Sequence, residues 1–503
     1  MNRRRRESAQ HFLHTNRDVS LWVISLSFLA ANCSALEVLM MIAVSVKYGM
    51  LAIHFYWVGA IPALAFLLCV VLPQYQQLKV RSIPEYLERR FGPSARFLSA
   101  AAFCALMIAV AGITLCLTSR LLHLVIGWSY PQGIWLMTTA VCAFLLAGGL
   151  SAVIYGEALQ LLIFVLVLVP LTLKALRTAG GVRPLVKSLP VTSQHTFQGL
   201  DLFAPHAHAD VFGIVVGLGF VLSFSYWCAD FLLVQRLCAA RNNREMLRIP
   251  SLAIVGKVLL PLVLVVPGLT VVRAFSGTAL YTFDLTLPQM LLHNYPISMA
   301  AVAMAAMVAS LFLSMCGNIA AGVAIFTSDL YRPFVCPDAS DQQTLRIGRV
   351  STLLMMLAAG GAAYVAFGSN ALMEYVQLAL SAFNVPVAAV LLAGIFFPRL
   401  TPRAGSPAII VGTLAGILSW QAARVVQFGS GITETFYSAL ISFAFTVIAM
   451  VVTHLQSAML SPNGDPLSHL NPVLTASPSV PRSLKVLALV SISTIAGLYL
   501  LFR

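Results

Sequence analysis

Polar residues interrupt a long apolar run near the start of the chain. Asn32, Cys33 and Ser34 lie in the middle of this run, which extends over about 22–46, and a carboxylate follows at Glu37. An ionisable side chain at mid-membrane costs roughly 3 kcal/mol on insertion scales, so it tends to face protein or water and to carry a function. Polar residues at this depth indicate either a close helix contact or an interrupted helix that lines a polar cavity.

The composition identifies the environment of these residues. Of the 503 residues, 59% are hydrophobic and only 10% are charged, and the mean hydropathy is +0.89. A soluble protein carries about 25% charged residues, so the sequence predicts a polytopic, all-α integral membrane protein. The nine cysteines show neither metal-ligand spacing nor a paired framework, which is typical of small apolar core residues.

Apolar runs of about 18 residues or more indicate membrane-spanning helices. The sequence predicts thirteen of them, roughly at 20–46, 50–73, 97–125, 131–150, 157–176, 211–234, 250–273, 297–327, 350–368, 372–397, 405–425, 435–454 and 484–502. We divide the chain into a basic N-terminal segment, five helices, a polar outer loop, five more helices and three additional helices, at 1–19, 20–176, 177–210, 211–397 and 398–503.

The distribution of basic residues predicts the orientation. With the N-terminus inside, inner segments hold 21 of the 31 Lys and Arg residues, eight lie outside, and Arg120 and Lys257 lie within spans. Lys and Arg are enriched in cytoplasmic loops. We therefore expect a cytoplasmic N-terminus, an outer C-terminus and residence in the cell membrane. The net charge of +14 then reflects topology and does not indicate nucleic-acid binding.

Two other segments contain residues that end a helix or place a charged side chain on it. In GGLSAVIYGEALQ (148–160), two glycines end one helix, and Glu157 lies in the first turn of the next, where the dipole favours an anion. The sixth span carries Gly217 and Gly219 and ends near Asp230. Interruptions in the first and sixth of ten core spans are expected for two inverted five-helix repeats with a site at their interface. Ordinary helix packing explains the same glycines.

Polar residues of the later spans also have two interpretations each. Lys257 either extends to the inner interface or pairs inside the bundle. Ser310 and Ser314 share a helix face, although small residues also serve close packing. In the loop before the sixth span, the H-A-H-A-D stretch at 206–210 has metal-ligand residue types, but coincidence is the simpler interpretation.

Several segments together resemble the sodium/solute symporter family, which includes the sodium/proline and sodium/glucose cotransporters. The segments that carry the resemblance are SIPEYLERRFG (82–92), GGLSAVIYGEALQ (148–160), SYWCADFLLVQR (225–236) and IFTSDLYRP (325–333). Lys257 matches the lysine of the family's helix seven, and Glu157 stands where an aspartate is usual. Gln377 falls where the sugar cotransporters keep a substrate-contacting glutamine.

The resemblance implies a LeuT-type fold with two inverted repeats, in which substrate and a sodium ion are held where helices one, six and eight meet. Carried over by position, the sodium ligands are the carbonyls of Ala30 and Cys33 and the hydroxyls of Ser310 and Ser314. The implied substrate contacts are Glu37, Tyr56, Tyr226, Trp227, Lys257 and Gln377. Coupling or structural roles are implied for Asn32, Glu157 and Asp230.

Three positions depart from the family's pattern. Leu313 replaces a usual small or hydroxyl residue, so one sodium oxygen is missing unless a water or another group supplies it. The family's helix-two glutamate, a sugar contact, is Tyr56, and the helix-one polar contact falls at or near Glu37. These differences argue against a glucose-like site.

The sequence favours a transporter over two other classes. It has no nucleophile, metal or paired-carboxylate motif of an intramembrane enzyme. A transporter-like sensor usually carries a long cytoplasmic domain, whereas about thirty residues link the last two predicted spans. We therefore expect a secondary transporter without an organic cofactor, which couples a small polar organic solute to sodium. The alternative is a proton-coupled or uncoupled permease with Glu37 as the titrating group.

Overall fold

The chain folds into a bundle of helices. The computed structural model describes residues 19–78, 80, 82–189, 212–274, 283–294, 296–368, 372–426, 432–460 and 481–501. All regular secondary structure in these ranges is helical. We name the helices α1 (Leu21–Asn32), α2 (Ala35–Tyr48), α3 (56–78), α4 (Ile83–Phe91), α5 (Pro93–Ile126), α6 (Tyr130–Ala179), α7 (Val182–Lys187), α8 (Gly213–Ala229), α9 (Phe231–Cys238), α10 (Asn243–Ala274), α11 (Thr286–Asn294), α12 (Ile297–Phe334), α13 (Asp341–Ala366), α14 (Leu372–Phe396), α15 (Gly405–Val426), α16 (Ile432–Leu460) and α17 (Arg482–Leu501).

The first apolar run is an interrupted helix, as the sequence predicts. Helix α1 ends at Asn32 and α2 begins at Ala35, with Cys33 and Ser34 outside helical geometry. The break frees backbone groups that a continuous helix satisfies internally. The amide of Ala35 donates to the hydroxyl of Ser310 on α12 at 2.7 Å. A polar residue on a neighbouring helix therefore stabilises the break.

The predicted end of the fourth span is confirmed within α6. Gly149 has φ 60° and ψ −162° there, so the stretch is two helices joined at this residue. Glycine adopts positive φ without the penalty that a Cβ imposes. Glu157 is buried and lies eight residues beyond Gly149, about two turns into the helix that follows, so its predicted place in the first turn is wrong.

The interruption of the sixth span lies at Asp230, and its prediction at Gly217 and Gly219 is wrong. Both glycines are inside α8, where a Cβ at Gly217 would lie 2.9 Å from Cβ of Phe436 on α16. They permit close helix packing, which was the alternative interpretation of these glycines in the sequence. Asp230 instead accepts a hydrogen bond from the amide of Leu232 at 2.8 Å and begins α9, and the two helices bend by 40°.

Ionic contacts lie at opposite ends of the bundle. At one end, which we call the Lys47 face, Lys47 pairs with Glu374 at 3.0 Å and Arg120 pairs with Asp284 at 3.4 Å. At the other end, which we call the Arg96 face, Arg96 donates to Asp329 at 2.8 Å. These contacts join α2 to α14, α5 to the segment before α11, and α5 to α12.

A further basic residue of the Arg96 face is buried and not solvated. Arg90 on α4 is fully buried and donates to the carbonyls of Phe397, Pro398 and Leu400, at 2.9–3.2 Å. The guanidinium thereby satisfies carbonyl groups that the end of α14 leaves free. It holds the short helix α4 against the bundle.

Most of the long helices are apolar enough to span a membrane. Among the described residues, eight helices meet length and hydropathy requirements, or nine when the bent α8–α9 pair is one span. The first span is divided between α1 and α2, so α1 is too short to qualify alone. Thirteen spans remain a prediction. The H-A-H-A-D stretch at 206–210 lies outside the described residues.

Candidate functional site

A largely apolar cavity with a set of polar groups in its lining lies beside the break between α1 and α2. Its volume is about 150 Å³, which suits a ligand about the size of a single ring. The polar and aromatic residues that line it are Asn32, Ser34, Glu37, Tyr226, Trp227, Asp230, Lys257, Ser314, Asn318 and Gln377. They come from α2, α8, α10, α12, α14 and the two helix breaks, so the cavity is located where the interrupted helices meet the rest of the bundle.

A buried ion pair forms one wall of this cavity. Nζ of Lys257 on α10 donates to Oε1 of Glu37 on α2 at 3.0 Å. The lysine side chain is 1% exposed and the glutamate 18%, so Glu37 is the more accessible of the two lining residues. Oε2 of Glu37 has no hydrogen-bond partner among the described residues. A ligand with a hydrogen-bond donor would fill this position. Lys257 is therefore paired inside the bundle and does not extend to the inner interface; pairing was one of the two interpretations of its sequence position.

Aromatic rings surround the lysine. Nζ of Lys257 lies 4.8 Å from the ring centroid of Tyr56 and 5.5 Å from that of Trp227. The rings of Tyr226 and Trp227 pack edge to face with centroids 5.3 Å apart. Ring faces attract a cation, and more strongly when it is desolvated. Tyr226, Trp227 and Gln377 line the cavity, whereas Tyr56 lies behind the lysine and outside the lining.

A second buried ion pair ties α1, α6 and α9 together. Arg236 donates through Nε to Oε2 of Glu157 at 3.2 Å and through Nη2 to Oε1, and the Ser27 hydroxyl donates to Oε2 at 2.6 Å. A Cβ at Gly317 would lie 2.7 Å from Oε1 of Glu157, so glycine leaves room for the pair. The sequence analysis did not predict this pair, and Arg236 is fully buried.

The four predicted sodium ligands do not all face the cavity. Ser314 lines it, whereas Ala30, Cys33 and Ser310 are buried outside the lining. The carbonyl of Ala30 accepts from the amide of Cys33 at 3.1 Å, and the hydroxyl of Ser310 accepts from Ala35. Each acceptor retains a lone pair, so the residues fit a hard cation that prefers oxygen ligands.

Leu313 contributes no side-chain oxygen to the sodium site, as its residue type predicts. Its side chain packs against Gly156 on α6, where an added Cβ would lie 2.7 Å from Cδ2 of the leucine. The set of oxygens carried over from the family is therefore one short. Asn318, one turn beyond Ser314, lines the cavity and was not singled out from the sequence. Its spacing of four from Ser314 was the available signal.

Interrupted helices, a membrane-spanning bundle and a cavity at the breaks are features of secondary transporters. The profile of the Sodium:solute symporter family matches residues 12–416. The chain belongs to this family, which supports sodium-coupled solute symport across a membrane, and it is a multi-pass membrane protein.

Individual relatives agree with this assignment. The chain is 25% identical to a sodium/mannose cotransporter of Bos taurus, with 82% of this chain and 74% of the relative covered. It is 24% identical to a sodium/glucose cotransporter of Vibrio parahaemolyticus, with coverages of 82% and 78%. Among solved structures, a Na+-coupled sialic acid symporter in a substrate-bound outward-open state matches with a TM-score of 0.77 and 19% identity. That match covers 90% of this chain and 93% of the other, and it shows a shared fold.

Proposed function

We propose that the protein transports a small polar organic solute together with sodium by alternating access, and that the cavity beside the α1–α2 break is the solute site. The observation that carries this proposal is the Glu37–Lys257 pair in the cavity wall, with Oε2 of Glu37 unpartnered among the described residues. Glu37, Asn32 and Gln377 offer acceptors to a solute, and Tyr226 and Trp227 offer ring faces.

The pair is well suited to select a solute that is rich in hydrogen-bond donors. Lys257 pairs with one oxygen of Glu37, so the other oxygen is left to accept a hydrogen bond from the solute. Because the pair carries no net charge, the solute need not supply a counter-charge. Tyr56 supports the lysine from behind and acts on the solute through it.

We assign the sodium position to the end of α1 and the facing hydroxyls of α12. The last carbonyls of a helix lack intrahelical partners and form the negative end of its dipole, which attracts a cation. Ser314 lies in the cavity lining, and Ser310 lies nearer to α2. Sodium at this position neutralises the end of α1 and draws α1 and α12 together.

Proton-coupled transport is the second candidate, because Leu313 removes one oxygen from the sodium set and Glu37 is accessible from the cavity. Uptake into proteoliposomes with a panel of amino acids, sugars and carboxylates distinguishes the two. We expect uptake to require an inward sodium gradient. Full uptake in sodium-free buffer, driven by an acidic exterior, would show that protons drive transport.

Three variants make this test specific. Ser314→Ala should raise the half-saturating sodium concentration steeply or abolish uptake, because a cation loses an oxygen ligand. Ser310→Ala should matter less than Ser314→Ala for sodium: it leaves the Ala35 amide unpaired and should lower thermal stability more than sodium affinity. Glu37→Gln should preserve sodium dependence. Loss of all coupling in Glu37→Gln alone would favour the proton mechanism.

A further inference from the structure

One face of α12 presents a row of oxygens to the break in the first span. Ser310, Ser314 and Asn318 are spaced by four residues and so lie above one another on one helix face. Ser310 is engaged by the Ala35 amide, while Ser314 and Asn318 line the cavity. The polar row therefore continues one turn past the residues that the family resemblance identifies.

The amide of Asn318 is fixed in one orientation. Its Nδ2 donates to the carbonyl of Ser314 at 2.9 Å. A carbonyl accepts hydrogen bonds only, so the nitrogen must occupy this side of the amide. Oδ1 is then the other end of the amide, and the described residues form no hydrogen bond to it. A side chain that is 4% exposed and lines a cavity with an unpaired oxygen is arranged to meet a donor or a cation.

The lining of the same cavity includes the end of α1, with Ala31, Asn32 and Ser34. Helix α1 ends at Asn32, so its last carbonyls and its negative dipole end lie at the break. These carbonyls and an α12 oxygen that borders the same cavity are ligand types suited to a hard monovalent cation.

We propose that Oδ1 of Asn318 is a ligand of the coupling sodium ion and supplies the oxygen that Leu313 lacks. This inference rests on the proposed sodium coupling. Leu313 packs against Gly156, so its side chain is directed to α6 and no small movement brings an oxygen there. The side-chain amide of Asn318 folds back toward the preceding helical turn, so it lies beside Ser314.

Sodium binding by the purified, full-length protein tests the inference without transport. The thermal stability of the protein in detergent is measured against sodium chloride, with choline chloride at matched ionic strength and no solute present. We expect Asn318→Ala to raise the half-maximal sodium concentration about tenfold, the effect of losing one ligand. Asn318→Asp retains an oxygen and should stay within about threefold of the natural protein.

The matched control is Asn384→Ala on α14, which removes a buried amide outside the cavity lining. It should leave the sodium titration unchanged. If Asn318→Ala does not fold, Asn318→Leu removes the oxygen at nearly constant volume and is titrated instead. An unchanged sodium titration in the folded variant that lacks the oxygen would overturn the inference.

The same experiment separates this inference from the proposed function. A natural protein that sodium does not stabilise, and whose uptake is indifferent to sodium, contradicts sodium coupling itself. A natural protein that responds to sodium, with a variant that responds equally, contradicts the role of Asn318 alone. If solute affinity falls in Asn318→Ala while the sodium titration is unchanged, Asn318 is a solute contact and the assignment to sodium is wrong.

Discussion

At the scale of single residues, the Glu37–Lys257 pair concentrates opposite charges in the membrane interior. We predict that Lys257→Ala abolishes transport and destabilises the protein by about 3–5 kcal/mol, because it leaves a buried carboxylate unpaired. Uptake assays and thermal unfolding measure the two effects.

The double variant Glu37→Gln/Lys257→Met separates stability from function. It removes both charges and should recover most of the lost stability, since neutral groups carry a smaller desolvation penalty. It should not recover the natural affinity for the solute, because the charged wall of the cavity is gone. Normal affinity and rate in Lys257→Ala would contradict a role for this lysine in solute binding.

The sequence located most of the candidate residues but not their partners. Lys257 was a candidate because it stands in an apolar run, yet its pairing with Glu37 joins residues 220 positions apart. The Glu157–Arg236 pair was missed for the same reason: Arg236 follows an apolar run directly and has the pattern of an inner-loop residue. Long-range pairing depends on how helices pack, which periodicity does not encode.

At the scale of elements, the segment before α11 fastens the Lys47 face. Asp284 accepts hydrogen bonds from the amide of Leu372, the first residue of α14, at 3.3 Å, and pairs with Arg120 on α5. Burial raises the pKa of Asp284 to about 6, while Leu372 and Arg120 act in the opposite direction. Glu374 further raises the pKa of Asp284 and Lys47 lowers it. The contact between α5, α14 and this segment is therefore sensitive to mild acid.

We predict that the Lys47 face loosens as the pH falls from 7 to 5. Asp284 takes up a proton near pH 6, so its ion pair with Arg120 is lost. A cysteine at Met373, which lines the cavity, should react faster with a thiol reagent at pH 5 than at pH 7. The background must lack the natural cysteines, or their labelling must be subtracted.

Asp284→Asn is the control for this prediction. It keeps the shape and removes the titration, so labelling should be fast at both pH values. Protonation of Asp284 has the opposite effect on the free energy of unfolding: it loosens the Lys47 face but stabilises the folded state. Because the folded-state pKa is raised, the folded protein binds the proton more tightly than the unfolded chain, and this group favours the folded state as the pH falls. Labelling of the natural side chain that is independent of pH would contradict the prediction.

The helix breaks show which interruptions can be predicted from a sequence. The α1–α2 break was predicted because Asn32, Cys33 and Ser34 are polar at mid-depth. The Gly217 and Gly219 prediction failed because a membrane helix tolerates glycine where a neighbour packs closely. Asp230 was the better signal: an aspartate caps the amides of the helix that follows it.

At the scale of the whole molecule, the two ends of the bundle are the reference for counting how often the chain crosses the membrane. Contacts of the Lys47 face join α2, α5 and α14, and contacts of the Arg96 face join α4, α5, α12 and the end of α14. Composition and long apolar runs predicted an all-α membrane protein, whereas the repeat arrangement was implied by the family resemblance. The count of spans depends on helices that are divided or short.

We predict thirteen crossings, with the N-terminus cytoplasmic and the C-terminus on the other side. The motive is the excess of basic residues, 21 inside against eight outside, in the predicted segments. The deciding helix is α17, which packs against α10 and α3. A reporter fused after residue 460 should lie inside, and the same reporter fused after Arg503 should lie outside, because α17 crosses between them. Paired fluorescent and phosphatase reporters at both sites measure this directly. Equal signals at the two sites would show that α17 lies on the bundle without crossing, and that the number of spans is even.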